Sequence, residues 1–268
     1  MSPYRKAYES STGLTAPKEA AQLDGLFQRI VRGDRLPPRG QQAVDAGLTA
    51  HSLNDRRENP QLFDYYQWVL ANVLTDYPVN ELSAKLIEMA FTCMSIFKTD
   101  LPQPLTLNPW QVPAMQDYPL ETKKAVVIEN NGVFVWLATL HPEWPLINQA
   151  GNDLNSAYIQ LMQCLELRGV QLTYLGDLDS RGIQMADSLF RQLSRTSIET
   201  FTAIQSPANV SYWLTLKGKK DVRRTRRLAV KTPILCEELD SIRLFGKFVE
   251  QEQLVSNYER LIEEWLIE

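Results

Sequence analysis

Histidine and cysteine are scarce, at two and three residues of 268. His51 and His141 have no partner at metal-ligand spacing, so a histidine-based zinc site is not expected. Both histidines read as structural or exposed. Cys93, Cys164 and Cys236 are odd in number and far apart, which argues against a disulfide framework and predicts reduced thiols in a cytoplasmic protein. No apolar run approaches the ~20 residues of a membrane span, and MSPYRKAYESS lacks the layout of a secretory leader. Neither G-x-x-x-x-G-K-[ST] nor G-x-G-x-x-G occurs, so no nucleotide fingerprint supports an NTPase or a dinucleotide enzyme. The formal net charge of −4 gives no global sign of nucleic-acid binding.

What is present divides into two textures. Residues 1–22 are polar and small and predict a loose arm. Short helices are expected over 22–31 and 41–53, separated by the breaker RGDRLPPRG. Asn59-Pro60 reads as a helix start, followed by an apolar face of Leu62, Tyr65, Tyr66, Val69 and Leu70. Asn80 reads as the N-cap of another amphipathic helix, ELSAKLIEMAFTCMSIF. Five prolines between 99 and 119 predict a linker. Beyond it, strands are expected at AVVIE, PLIN, VQLTYLGD and 198–204, with helices over 132–140, 153–167 and 183–193. That βαβαβαβ order predicts a parallel sheet. The tail from 228 reads as helices, with an apolar stripe over 253–267 that is either core or interface.

Two apolar runs end in carboxylates. One delivers Glu129; the other delivers Asp177 and Asp179 through Gly176. Ligands of open α/β sheets sit beyond the carboxyl ends of the strands, so these acids would converge at one sheet edge. On an extended backbone the i, i+2 spacing puts Asp177 and Asp179 on the same side. Three hard oxygen donors suit Mg²⁺ or Mn²⁺, and crowded carboxylates need a cation because like charges oppose one another's ionisation. Gly176 and Gly182 permit a tight turn, and a helix opening near Gly182 would turn its positive end toward a phosphate. A D-x-D at a strand end also marks ordinary solvated turns.

Glu129-Asn130 after one strand, and Gly176-Asp177-Leu178-Asp179-Ser180-Arg181-Gly182-Ile183 after another, resemble the glutamate and D-x-D-x-x-G motifs of the Toprim domain. The branch of the topoisomerase VI A subunit and the Wadjet-type nuclease subunit is the most similar. The resemblance covers 123–204, and Glu250-Gln251-Glu252 resembles a late element of the Wadjet branch. It implies an α/β Toprim domain, a Rossmann-like parallel sheet flanked by helices, over 119–268 with a helical C-terminal extension. A mainly helical N-terminal domain would occupy 1–118, its proline-rich linker included.

The implied activity is Mg²⁺- or Mn²⁺-dependent endonucleolytic hydrolysis of DNA in plasmid or phage defence. Glu129, Asp177 and Asp179 would be metal ligands, and Glu129 a general acid or base. A dimer and an SMC-type ATPase partner are also implied. An RNA-cleaving (tRNA) effector and a catalytically silent scaffold are the alternatives. Arg181 stands where many Toprim enzymes carry a third acid, which leaves a second ion open; it would hold the scissile phosphate or balance the cluster. Tyr65 and Tyr66 are the candidates for a topoisomerase-like tyrosine, but they read as core aromatics, which leaves water as the nucleophile.

The segment KGKKDVRRTRR holds Lys217, Lys219, Lys220, Arg223, Arg224, Arg226 and Arg227 against one acid. It reads either as a phosphate track, with Tyr212 or Trp213 stacking a base, or as a solvated face paired with the acidic C-terminal helices.

Overall fold

The most apolar stretches of the chain line the middle of one sheet. In the computed structural model, which describes residues 2–83, 88–150 and 154–267, the chain divides into two units, Met1–Leu86 and Ile87–Glu268.

The first unit is helical: α1 (Pro3–Thr12), α2 (Asp24–Val31), α3 (Arg39–Asp45) and α4 (Pro60–Asn72), with a 3-10 turn at Lys18–Leu23. The expected loose arm is therefore ordered. Ser2 caps α1 by accepting from the Arg5 amide at 3.3 Å, and Gly13 closes it in the left-handed region. Serine-proline at the start and glycine at the end are helix signals that the polar composition obscured. The helix expected over 41–53 stops at Asp45, followed by Gly47 at φ +78°. Asn59 caps α4 through Leu62 N, as expected. Tyr65 and Tyr66 are fully buried on α4, packed against Tyr8 and Phe27. Burial pushes both phenols up, Tyr66 to about 12.

The helix expected from Asn80 is corrected where it is described, its middle at 84–87 lying outside the described residues. The Asn80 carbonyl accepts from Leu36 N, and Phe91–Met94 is a strand, β1. A run this short has no periodicity with which to tell strand from helix, and here all four residues are buried in the sheet. The proline-rich segment is likewise not a linker. It carries β2 (Leu105–Leu107), antiparallel to β1, and α5 (Val112–Met115), both in the second unit. Its prolines flank an edge strand and the first turn of a helix, where no amide is needed.

The second unit continues through β3 (Lys124–Ile128), α6 (Asn131–Leu140), β4 (Leu146–Asn148), α7 (Ser156–Leu167), β5 (Gln171–Leu175), α8 (Ser180–Phe190), α9 (Ile198–Phe201), α10 (Pro207–Lys217), β6 (Lys219–Lys220), α11 (Pro233–Phe245), β7 (Lys247–Phe248) and α12 (Val255–Ile267). Among the described residues the main sheet has the order β2-β1-β4-β3-β5. It is mixed rather than all parallel. β4, β3 and β5 run parallel, and β1 adds antiparallel to β4. Ala125–Ile128 and Leu146–Asn148 are buried throughout, as a sheet covered on both faces requires.

The fourth strand expected at 198–204 is absent. Ser197 Oγ accepts from Thr200 N at 3.2 Å and starts α9 instead. Phe201 then stacks on Tyr174 of β5 at 5.4 Å, so tertiary packing overrides the β-branched composition. A two-residue ribbon, β6 with β7, interrupts the expected helical tail. No helix among the described residues is long and apolar enough to cross a membrane.

Ile147 is fully buried at the centre of β4. Ile147→Ala is expected to lower stability by about 2–5 kcal/mol, read from the urea transition of the second unit; a loss below ~1 kcal/mol would contradict its place in the core.

Candidate active site

β3 and β5 pair in parallel with Ile128 opposite Leu175, so the residues that follow them emerge side by side. Glu129 N donates to the Leu175 carbonyl at 3.0 Å, extending the ladder by one step. Its side chain then reaches over the exit of β5. Glu129 Oε2 accepts from Asp177 N at 3.1 Å and from the Tyr174 hydroxyl at 3.4 Å. Gly176 lies beneath it: a Cβ there would stand 2.5 Å from Glu129 Oε2 and 2.8 Å from Tyr174 Cε1. The glycine is required by close approach, not by an unusual φ.

The D-x-D segment lies beyond β5 but stays extended, with Leu178 bridging Val249 and Asp179 at φ −140° and ψ 173°, and both aspartates reach the Arg224 guanidinium, in keeping with the same-side spacing. β5 ends at Leu175, and α8 begins at Ser180, three residues earlier than expected. Asp179 is the N-cap of α8: its Oδ1 accepts from Arg181 N at 2.9 Å and Gly182 N at 2.8 Å. A side chain at Gly182 would collide with the Asp177 carbonyl oxygen, so the first turn of α8 lies directly on the Asp177 backbone. Leu178 and Val249 exchange two main-chain hydrogen bonds, of 2.9 and 3.1 Å. That pairing brings the C-terminal segment back to the sheet edge.

The returning segment completes the site. Gln251, fully buried, donates its amide to Asp177 Oδ1 at 2.9 Å, and its Oε1 accepts from Asn130 N at 2.9 Å. One residue thus ties the ends of β5 and β3 together. Glu252 Oε1 accepts from Asn130 Nδ2 at 2.8 Å, while Asn130 Oδ1 caps α6. Glu250 meets Arg224 and, at 3.5 Å, Lys219.

Arg224 is the residue whose specific part the sequence did not single out. Its Nε lies 2.7 Å from Asp179 Oδ2, its Nη2 2.8 Å from Asp177 Oδ2 and its Nη1 2.9 Å from Glu250 Oε1. The guanidinium lies over the Phe248 ring, 4.0 Å from its centre. Nothing within a basic run marks which arginine turns inward. Asp179, Asp177 and Glu250 raise the Arg224 pKa against the opposing effect of its burial. Burial, with the Asp177 charge adding to it, pushes Glu129 up to about 7. Burial raises Asp177 too, opposed by the Gln251 amide and Arg224.

Arg181 does not reach the carboxylates by a side-chain contact. It is exposed and lines an open cleft of ≈ 430 Å³ with Asp179, Ser180, Val222, Arg223, Arg224, Arg226 and Leu228. Arg223, Arg226 and Arg227 are exposed, as are Lys219 and Lys220 on β6. Lys217 instead binds the Gln253 carbonyl and Asn257 Oδ1, both at 2.7 Å. Trp213 is buried against Tyr258 and offers no face to a base, whereas Tyr212 is exposed. His51 is exposed, and His141 stacks on Trp144 at 3.7 Å and faces Glu259.

A hard divalent cation fits the donor chemistry, since every acid at this edge offers oxygen. Yet among the described residues no three His, Cys, Asp or Glu side chains stand ready as a metal-binding group. The Oδ2 atoms of Asp177 and Asp179 both end on Arg224.

Residues 105–257 match the family described as "Protein of unknown function C-terminus", DUF2399. The chain belongs to that family. The DUF2399 match runs from β2 into α12 and contains Glu129, Asp177, Asp179, Arg224 and Glu250–Glu252 together. No curated protein matches the chain.

The raised Glu129 pKa has a definite sign in stability. Between about 4.5 and 7 the folded protein holds more protons at Glu129 than the unfolded chain does. Its contribution is full below that window and is lost as pH rises through it. Glu129→Gln removes this loss, so metal-free Glu129→Gln is expected to gain stability over the parent at about pH 8 more than at about pH 4, as urea titrations report. Equal differences at both pH values would contradict the assignment.

Proposed function

We propose that the second unit is a Toprim-type nuclease that hydrolyses phosphodiester bonds in DNA with Mg²⁺ or Mn²⁺. The observation that carries this reading is the hydrogen bond from Asp177 N to Glu129 Oε2, with Asp179 capping the adjacent helix. It unites the glutamate motif and the D-x-D-x-x-G motif at the carboxyl ends of the parallel strands β3 and β5. Glu129, Asp177 and Asp179 would hold the ion, which supplies Lewis-acid activation of a phosphoryl oxygen and of water.

The chain's own residues divide the remaining work. Burial raises the Glu129 carboxyl in the metal-free protein, and the residue would serve either as an ion ligand or as a general acid or base. Arg181, Arg223 and Arg226 line the adjoining cleft and suit a phosphate. Tyr65 and Tyr66 are fully buried with raised pKa values, which favours water over a tyrosine nucleophile. The Toprim resemblance extends the proposal to a cytoplasmic homodimer acting with an SMC-type ATPase in plasmid or phage defence.

One observation favours a second reading, a catalytically silent scaffold: Arg224 already occupies an oxygen of each of three carboxylates, Asp177, Asp179 and Glu250. Incubating the protein with supercoiled plasmid, linear DNA and tRNA, in Mg²⁺, Mn²⁺ or EDTA, separates the readings. DNA cleavage is expected with metal only, reduced at least ~100-fold by Asp177→Asn or Asp179→Asn. Cleavage of tRNA alone would move the substrate to RNA, and cleavage of nothing would favour the scaffold.

A further inference from the structure

We propose that Arg224 is a removable counter-ion whose departure couples metal binding to phosphate binding. The proposal rests on the nuclease reading and adds a regulatory step to that site. The Arg224 guanidinium contacts three carboxylates from three places in the chain: Asp177 after β5, Asp179 at the cap of α8 and Glu250 after β7. Asp177 Oδ1 and Asp179 Oδ1 are committed to main-chain amides. The Oδ2 atoms are therefore the oxygens left for an ion, and these are the two that Arg224 holds. A guanidinium and a divalent cation drawn to the same two oxygens repel each other, so each weakens the other's hold and the two cations compete.

The geometry lets the side chain leave without moving the loop. The Arg224 main chain is fixed, its carbonyl accepting from Ser180 N at 2.9 Å and its amide facing Asp221 Oδ1 at 3.3 Å. The side chain is partly exposed, at 26%. It also borders the cleft lined by Ser180, Arg181, Arg223 and Arg226. A phosphate entering that cleft meets arginines from two segments, and a guanidinium binds phosphate through two parallel hydrogen bonds as readily as it binds carboxylate. Arg224 is thus offered an alternative partner beside its present ones. Glu250 keeps Lys219 as a neighbour when Arg224 leaves. Coupling of this kind is reciprocal: nucleic acid tightens metal by the factor by which metal tightens nucleic acid. Without a phosphate, Arg224 stays on the Oδ2 atoms of Asp177 and Asp179 and keeps them from an ion.

The test is Mn²⁺ binding by the full chain, followed through the EPR signal of free Mn²⁺. It is run with and without a phosphorothioate DNA oligonucleotide and corrected for ions held by the oligonucleotide alone. In the parent, the oligonucleotide is expected to tighten Mn²⁺ by about tenfold. Arg224→Gln is expected to bind Mn²⁺ about tenfold more tightly than the parent without DNA, and to gain less than about twofold from DNA. Arg224→Lys, which keeps the charge but not the three-way fork, is expected to fall between them; it carries the test if circular dichroism shows Arg224→Gln unfolded. Equal Mn²⁺ affinity in the parent and both variants, or an equal DNA effect in all three, would overturn the coupling and leave the metal site standing. Absence of Mn²⁺ binding in all three proteins would overturn both.

Discussion

Crowded negative charge at the ends of two paired strands is the constraint on which the second unit depends. The register of β3 and β5 places Glu129 and Asp177 side by side, and the α8 cap adds Asp179. Carboxylates this close oppose one another's ionisation, the more so when partly buried. Each neighbour can be understood as a counterweight. The Asp177 amide and the Tyr174 hydroxyl address Glu129, the Gln251 amide addresses Asp177, and the first α8 amides address Asp179. Arg224 supplies the full positive charge. The return of the C-terminal segment through the Leu178–Val249 bridge serves the same need through the Gln251 amide on Asp177, while Glu250 adds a third carboxylate to Arg224.

The same residues serve the fold and the site. Asp179 is a helix cap through one oxygen and a cluster member through the other. Gln251 joins the loops after β3 and β5, so the distance between the two acidic motifs is set by a residue 121 positions beyond Asn130 and 74 beyond Asp177. Gly176 and Gly182 are small because Glu129 and the Asp177 carbonyl press against them. Removing either contact would loosen the acids as well as the backbone.

Local signals in the sequence were legible where one element accounts for them. Ala125–Ile128 and Leu172–Leu175 are buried strands because a continuous apolar run has no polar face to expose. Asn59-Pro60 and Gly169 mark helix ends through cap chemistry alone. The acids and both motif glycines were found for the same reason. Non-local features were not legible. Phe91–Met94 became a strand because β4 and β2 were there to pair with it, and 198–201 became a helix because Phe201 had Tyr174 to cover. Arg224 is one of seven similar basic residues, and only a contact across about 45 positions separates it from them.

The central claim is that Asp177 and Asp179 hold a divalent ion in the place Arg224 now occupies. Anomalous diffraction from crystals of the full chain grown with Mn²⁺ and a short DNA oligonucleotide tests it most directly. The account predicts a manganese peak against Glu129, Asp177 and Asp179, with the Arg224 side chain turned to a phosphate. Arg224 still seated on both aspartates, with no peak beside them, would contradict it.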